Sequence, residues 1–198
     1  MIHIIVPSFN RKEGLENLLI LLGKQTLKEY KVYVIDSGSS DGTIEFMQEF
    51  YPNVDLVITN NDVWWAESIN IGVSKVSANI EKISDLVLFL NDDVKFNKMY
   101  LENALRIMQN NQKVLLGSSW REHKKPSYLK LDYKNISIRE CGWNEKPDCM
   151  SGRGLFVKWI DLIEIGKFKS NSFPHFLADY EFTIRAKKRG FELIQSKL

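Results

Sequence analysis

Hydrophobic positions along the chain fall into two alternating patterns. Residues 2–6 form a short, β-branched, nearly continuous apolar run, the pattern of a strand buried on both faces. Pro7-Ser8-Phe9-Asn10 breaks it, and Leu15, Leu18, Leu19 and Leu22 then recur at the spacing of one helical face. A second apolar run, 32–35, ends at Asp36. The cluster that follows, Ser37 to Thr43, is rich in turn formers and supplies capping residues for a helix over 43–50. A strand at 55–59, a helix at 67–76, a strand at 86–90 and a helix at 98–110 continue the alternation. Strands alternating with helices predict an α/β fold, a mostly parallel central sheet with helices on both faces.

After a strand at 114–118 the pattern loosens. Residues 121–150 are polar, basic and Trp-containing with no clear period, which predicts an insertion or a short antiparallel excursion. A strand is expected at 155–159 and a helix at 182–188, preceded by Ala178-Asp179-Tyr180-Glu181. A strand-like run at 191–195 meets the end of the sequence, as expected of a chain cut from a longer protein.

Composition narrows the class without choosing a function. With 44% hydrophobic and 26% charged residues among 198, the chain is neither disordered nor a collagen-like or disulfide scaffold. Two cysteines, Cys141 and Cys149, point to a reducing compartment and a cytoplasmic location. Apolar runs such as 86–90 fall far short of the roughly 18 residues of a membrane span. Charge changes the picture more. Residues 1–100 carry 9 Lys+Arg against 14 Asp+Glu, a net of −5, and residues 101–198 carry 18 against 11, a net of +7. The second half, with Lys124, Lys125, Lys130 and Lys134 in its loosely patterned stretch, is therefore expected to favour an anionic or membrane-presented partner.

In open parallel sheets, ligands bind in the crevice beyond the carboxyl ends of the strands. That rule selects Pro7-Ser8-Phe9-Asn10 after the first strand, Asp36 after the second, Asn60-Asn61-Asp62 after the third and Asn91-Asp92-Asp93 after the fourth. Adjacent carboxylates in a crevice are costly unless a cation neutralises them, and oxygen-only ligands favour Mg²⁺ or Mn²⁺ completed by substrate phosphates. His175 draws notice because Asp179 lies four residues on.

Five motifs in order give the chain a family likeness. Pro7-Ser8-Phe9-Asn10-Arg11, Val34-Ile35-Asp36-Ser37-Gly38-Ser39-Ser40-Asp41-Gly42-Thr43 and Leu88-Phe89-Leu90-Asn91-Asp92-Asp93-Val94 resemble the donor-side motifs of the family 2 glycosyltransferases, which have the GT-A fold. Ser151-Gly152-Arg153-Gly154-Leu155-Phe156-Val157 and the segment from Ala178 to Phe191 are similar to that family's acceptor-side strand and catalytic helix. The resemblance implies a GT-A (Rossmann-like) α/β/α sandwich over 1–198, with a nucleotide-sugar half at 1–95 and an acceptor half at 96–198. It also implies an inverting transferase that moves sugar from a nucleotide-diphosphate sugar to a glycan or lipid-linked acceptor in surface polysaccharide synthesis, with no nucleic-acid partner. By the same resemblance Pro7, Ser8 and Phe9 line the base, Asp36 accepts hydrogen bonds from base or ribose, and Asn70 lies near the donor. Asp92 lies by the ribose or sugar, Asp93 binds Mg²⁺ or Mn²⁺, and Asp179 is the general base. Ala178 stands where many relatives have Glu, and Ser37 where many have a second acid, which leaves dTDP and GDP sugars open beside UDP. With no acidic neighbour and a helix N-terminus beside it, Asp179 is expected to stay ionised to mildly acidic pH. The alternative is a module of the same fold that binds a nucleotide sugar or glycan without turning it over.

Overall fold

The computed structural model describes residues 1–118, 128–132, 134–135, 137–142 and 145–196. The first half lays down β1 (Ile2–Ser8), α1 (Lys12–Gly23), β2 (Tyr30–Asp36), α2 (Thr43–Phe50), β3 (Asp55–Ile58), α3 (Trp65–Ser77), β4 (Leu86–Phe89) and α4 (Tyr100–Gln109). Then come β5 (Val114–Ser118), β6 (Tyr128–Asp132), β7 (Ser137–Glu140), β8 (Cys149–Met150), β9 (Leu155–Lys158), α5 (Trp159–Ile165), α6 (Ala178–Lys188) and β10 (Glu192–Ser196). Seven strands form one sheet in the order β10-β5-β9-β4-β1-β2-β3, so both halves of the chain contribute to it. All neighbours are parallel except β9, which pairs antiparallel with β4 and with β5. The mostly parallel sheet expected from the alternation is the sheet observed.

Two apolar layers sandwich it. Ile2, Ile4 and Val6 of β1 pack with Leu15, Leu18 and Leu22 of α1 and with Leu101 and Met108 of α4. Ile5 faces the other way, among Ile69 and Val73 of α3, Leu162 of α5 and Phe182 of α6. This two-sided burial explains the continuous apolar run of β1. At Gly72, α3 closes onto the sheet: a Cβ there would stand 2.3 Å from Cγ2 of Ile5.

The loosely patterned stretch is the antiparallel excursion that its sequence suggests, a small sheet in the order β7-β6-β8. Asp148 ties it to α6. It pairs with Lys130 at 3.1 Å and with Lys187, and accepts the Leu131 N–H at 2.9 Å. Burial alone would raise the Asp148 carboxyl, but Lys187, Leu131 and Lys130 together bring it down to about 2. The short helix α5 carried no clear signal in the sequence. It caps β9 with seven residues, too few to display a period.

Candidate active site

Parallel strands β1, β2 and β4 end at one crest, so the loops after them meet. Ser8 stands in register with Asp36. The two loops are stitched together: the Asn10 N–H donates to Ser39 Oγ at 2.8 Å, and the Ser40 N–H to Asn10 Oδ1 at 2.8 Å. The Lys12 N–H adds a bond to Asp41 at 3.1 Å. Asn10 achieves this from a left-handed conformation, φ 52°, which Asn tolerates better than most residues. Within this frame Phe9 is 48% exposed, and Pro7 before it is half-buried. Ser8 is buried, yet its hydroxyl has no hydrogen-bond partner among the described residues. Asp36 is fully buried and braces its own loop, accepting the Ser39 N–H at 2.7 Å and the Ser39 hydroxyl at 2.6 Å.

The acids after β4 lie beside this cradle. Asp92 is 10% exposed and pairs with Arg11 at 3.2 Å. Burial raises its carboxyl, Arg11 opposes the rise, and the Asp93 charge adds to it. Asp93 is more open and pairs with Arg153 at 2.9 Å. The neutralising charge inferred for this carboxylate pair is supplied here by two arginines. Among the described residues no three His, Cys, Asp or Glu side chains gather as a metal cage. A site offering one open carboxylate suits Mg²⁺ or Mn²⁺ when substrate phosphates supply the remaining oxygens.

Antiparallel β9 explains how the second half reaches the same place. Because Leu155 pairs with Phe89 at the end of β4, the residues preceding β9 lie at the crest. Those are Ser151-Gly152-Arg153-Gly154. The Gly152 N–H donates to the Asp179 carboxylate at 2.8 Å, and the Arg153 guanidinium holds Asp93. Gly152 is irreplaceable by size: a Cβ would lie 2.5 Å from Cη2 of Trp65 and 3.3 Å from Cβ of Asp179. Trp65 is fixed in turn by its indole N–H, which donates to Asn91 at 3.0 Å. Asp179 opens α6 and also accepts the Tyr180 N–H at 2.9 Å. Burial raises its carboxyl above the ordinary Asp value, a cause the sequence does not display, and the Gly152 and Tyr180 N–H groups oppose the rise.

Asn70, expected near the donor, is a residue of α3. It is buried, and its amide forms a reciprocal pair with the Phe168 backbone, donating to the carbonyl at 2.9 Å and accepting the N–H at 2.9 Å. Ser170 adds a bond to Glu67 at 2.6 Å, and Ala66 N–H one to the Pro174 carbonyl at 3.0 Å. Helix α3 therefore fastens the strap that leads into Asp179, and Asn70 is its main clasp. His175 does not serve Asp179; it packs edge-on against Trp64 and Phe176. Leu177, the last residue before α6, takes the left-handed conformation at φ 67°, a strained turn next to the site. Of the lysines proposed to attract an anion, Lys130 is paired with Asp148. Lys124 and Lys125 lie outside the described residues. Gly152 and Arg153 stand in a motif legible in the sequence, but their contacts with Asp179 and Asp93 depend on the direction of β9, and nothing in the sequence marks Trp65 as their neighbour.

Comparison with known proteins supplies the chemistry this geometry belongs to. The family described as Glycosyl transferase family 2 matches residues 3–174. Glycosyltransferase AglE of Haloferax volcanii is 26% identical over 97% of this chain and 63% of its own length. The N-acetylglucosaminyl-diphospho-decaprenol L-rhamnosyltransferase of Mycobacterium tuberculosis is 19% identical over 96% of this chain and 72% of its own. Two further curated glycosyltransferases, from Bacillus subtilis and Haemophilus influenzae, match over 30% and 36% of their lengths, so this chain spans only part of such relatives. Among solved structures, the mannosyltransferase PcManGT from Pyrobaculum calidifontis in complex with GDP-Man and Mn²⁺ superposes with a TM-score of 0.69 at 18% identity. That match covers 99% of this chain and 54% of the other. GalNAc-T7 with UDP, GalNAc and Mn²⁺ gives 0.77 at 10% identity, over 98% and 42%. At these identities the likeness is one of fold.

Proposed function

The chain belongs to glycosyl transferase family 2 and has the GT-A fold, and from that premise we propose that it is an inverting transferase. Its donor is a nucleotide-diphosphate sugar, and its acceptor is a hydroxyl of a glycan or lipid-linked glycan used in cell-envelope polysaccharide synthesis. The observation that carries this reading is one loop. In Ser151-Gly152-Arg153-Gly154 the Gly152 N–H donates to Asp179 and the Arg153 guanidinium to Asp93, so one loop contacts both acids assigned to the transfer.

Phe9 offers a ring face to the nucleobase, and the unpartnered hydroxyl of Ser8 gives the nucleoside a hydrogen-bonding group that ordering the donor would satisfy. Asp36 keeps Ser39 and its loop in the shape that receives the nucleoside. Asp92 stands by the ribose or sugar with Arg11 as its counter-charge. Asp93 is the carboxylate that would hold Mg²⁺ or Mn²⁺, which stabilises the departing diphosphate when bound. Asp179 takes the proton of the acceptor hydroxyl as its oxygen attacks the anomeric carbon from the face opposite the diphosphate. Its buried setting strengthens it as a base.

A thermal-shift panel of UDP, dTDP and GDP, each with and without Mn²⁺, tests the donor half of this reading. A nucleotide that binds only the folded state raises the melting temperature by mass action. At least one of the three is expected to do so, more strongly with Mn²⁺. No shift with any nucleotide in either condition contradicts the assignment.

A further inference from the structure

Arg153 is the feature of this site that the proposed transfer leaves without a task. Its backbone is fixed: its N–H donates to Ser151 Oγ at 3.2 Å, and it follows Gly152, which is wedged between Trp65 and Asp179. Its side chain is 45% exposed, and it meets an Asp93 side chain that is 41% exposed. The contrast with Arg11 is informative, since Arg11 holds an Asp92 that is nearly closed to solvent. One arginine secures a buried carboxylate, and the other covers an open one.

We propose that Arg153 is a placeholder and donor-binding residue: its guanidinium neutralises Asp93 in the donor-free protein and passes to the donor diphosphate when a divalent cation takes that carboxylate. This rests on Asp93 being the cation-binding acid. The physical case has three parts. Asp93 brings too few protein ligands to win a cation against an adjacent guanidinium, since no further His, Cys, Asp or Glu cluster supports it among the described residues. A diphosphate changes the balance, because it brings oxygen ligands for the cation and a new anionic partner for the displaced arginine. The planar guanidinium fork matches phosphate oxygens in pairs, which an ammonium cannot reproduce. Cation and nucleotide therefore bind cooperatively, each raising the affinity of the other by the same factor. Because the same loop holds Asp179 through Gly152, release of Arg153 from Asp93 occurs one residue from the N–H that holds the base.

The test compares wild type with Arg153→Ala and Arg153→Lys in two titrations, Mn²⁺ alone followed by electron paramagnetic resonance, and UDP, dTDP or GDP with saturating Mn²⁺ followed by calorimetry. Removing an exposed ion-pair partner is expected to tighten Mn²⁺ alone by about two- to fivefold in Arg153→Ala. The same variant is expected to weaken the nucleotide by about tenfold or more, the worth of a charge-assisted contact. Arg153→Lys keeps the charge, so Mn²⁺ alone stays near the wild-type value while the nucleotide still weakens. Affinities within twofold of wild type for both ligands in Arg153→Ala overturn the inference. Asp93→Ala separates it from its premise: if that variant keeps Mn²⁺-dependent nucleotide binding, Asp93 is not the cation's carboxylate, and the premise itself fails.

Discussion

Asp179 is a carboxylate stabilised by two backbone N–H groups and still raised above the ordinary range by burial, which makes it a better base at the cost of some stability. The sign follows from linkage. A carboxyl whose folded pKa is raised opposes folding at pH above that value, and the cost is relieved as pH falls through it. Two outcomes are expected at this scale. The acid limb of the transfer rate should lie above the roughly 3.9 of a free Asp, and a limb at or below that value would show that burial does not govern the base. Gly152→Ala should push Trp65 and Asp179 apart, costing about 1–3 kcal/mol by overpacking and depressing transfer more than donor binding. Equal melting temperature and rate in that variant would show that the loop yields freely.

Elements decide where these residues stand. Gly72→Ala puts a methyl 2.3 Å from the Ile5 side chain, and the gain in helix propensity, about 1 kcal/mol, does not offset a clash that parts α3 from β1. A net loss of about 1–2 kcal/mol lowers the melting temperature by several degrees, read by calorimetry. Asp148, which joins the small sheet to α6, acts in the opposite sense to Asp179. Its depressed carboxyl stabilises the fold above the ordinary Asp range, and that stability is lost as pH falls toward about 2. Asp148→Asn should therefore be less stable than wild type at pH 7, with the gap closing as both are acidified. A gap independent of pH would mean that shape, not charge, makes the tie. The strands of the central sheet, the long helices and the loops that meet after β1, β2 and β4 were legible in the sequence, because continuous apolar runs and turn residues carry them locally. The direction of β9 was not, since antiparallel and parallel strands buried on both faces read alike. That direction is what brings Gly152 and Arg153 to the crest. Asn70 was singled out for a place near the donor, and its pairing with Phe168 on a distant strap had no local signal.

At the scale of the whole molecule, the sheet gathers the proposed nucleoside cradle from the acidic half and the proposed base from the basic half. Several cations of the second half pair with its own acids, as Lys113 with Glu164, Lys146 with Glu192 and Lys169 with Glu181 show, which leaves its net of +7 unchanged. No helix among the described residues is long and apolar enough to cross a membrane. Binding to anionic vesicles that weakens as salt rises would support a membrane-presented acceptor held by the remaining charge, and salt-independent binding would count against it. The central claim is that two acids held by one loop divide the work of an inverting transfer, with Asp93 on the donor side and Asp179 as the base. Asp179→Asn tests it most directly, since it keeps the shape and removes the proton acceptor. Donor affinity by calorimetry and transfer rate, with the product anomer read by NMR, are measured on that one variant and on wild type. Wild type should give the inverted anomer, and the variant should bind donor normally while transfer falls by about 10²- to 10⁴-fold. Near-normal transfer by the variant, or a wild-type product that retains the donor's anomeric configuration, would contradict the account.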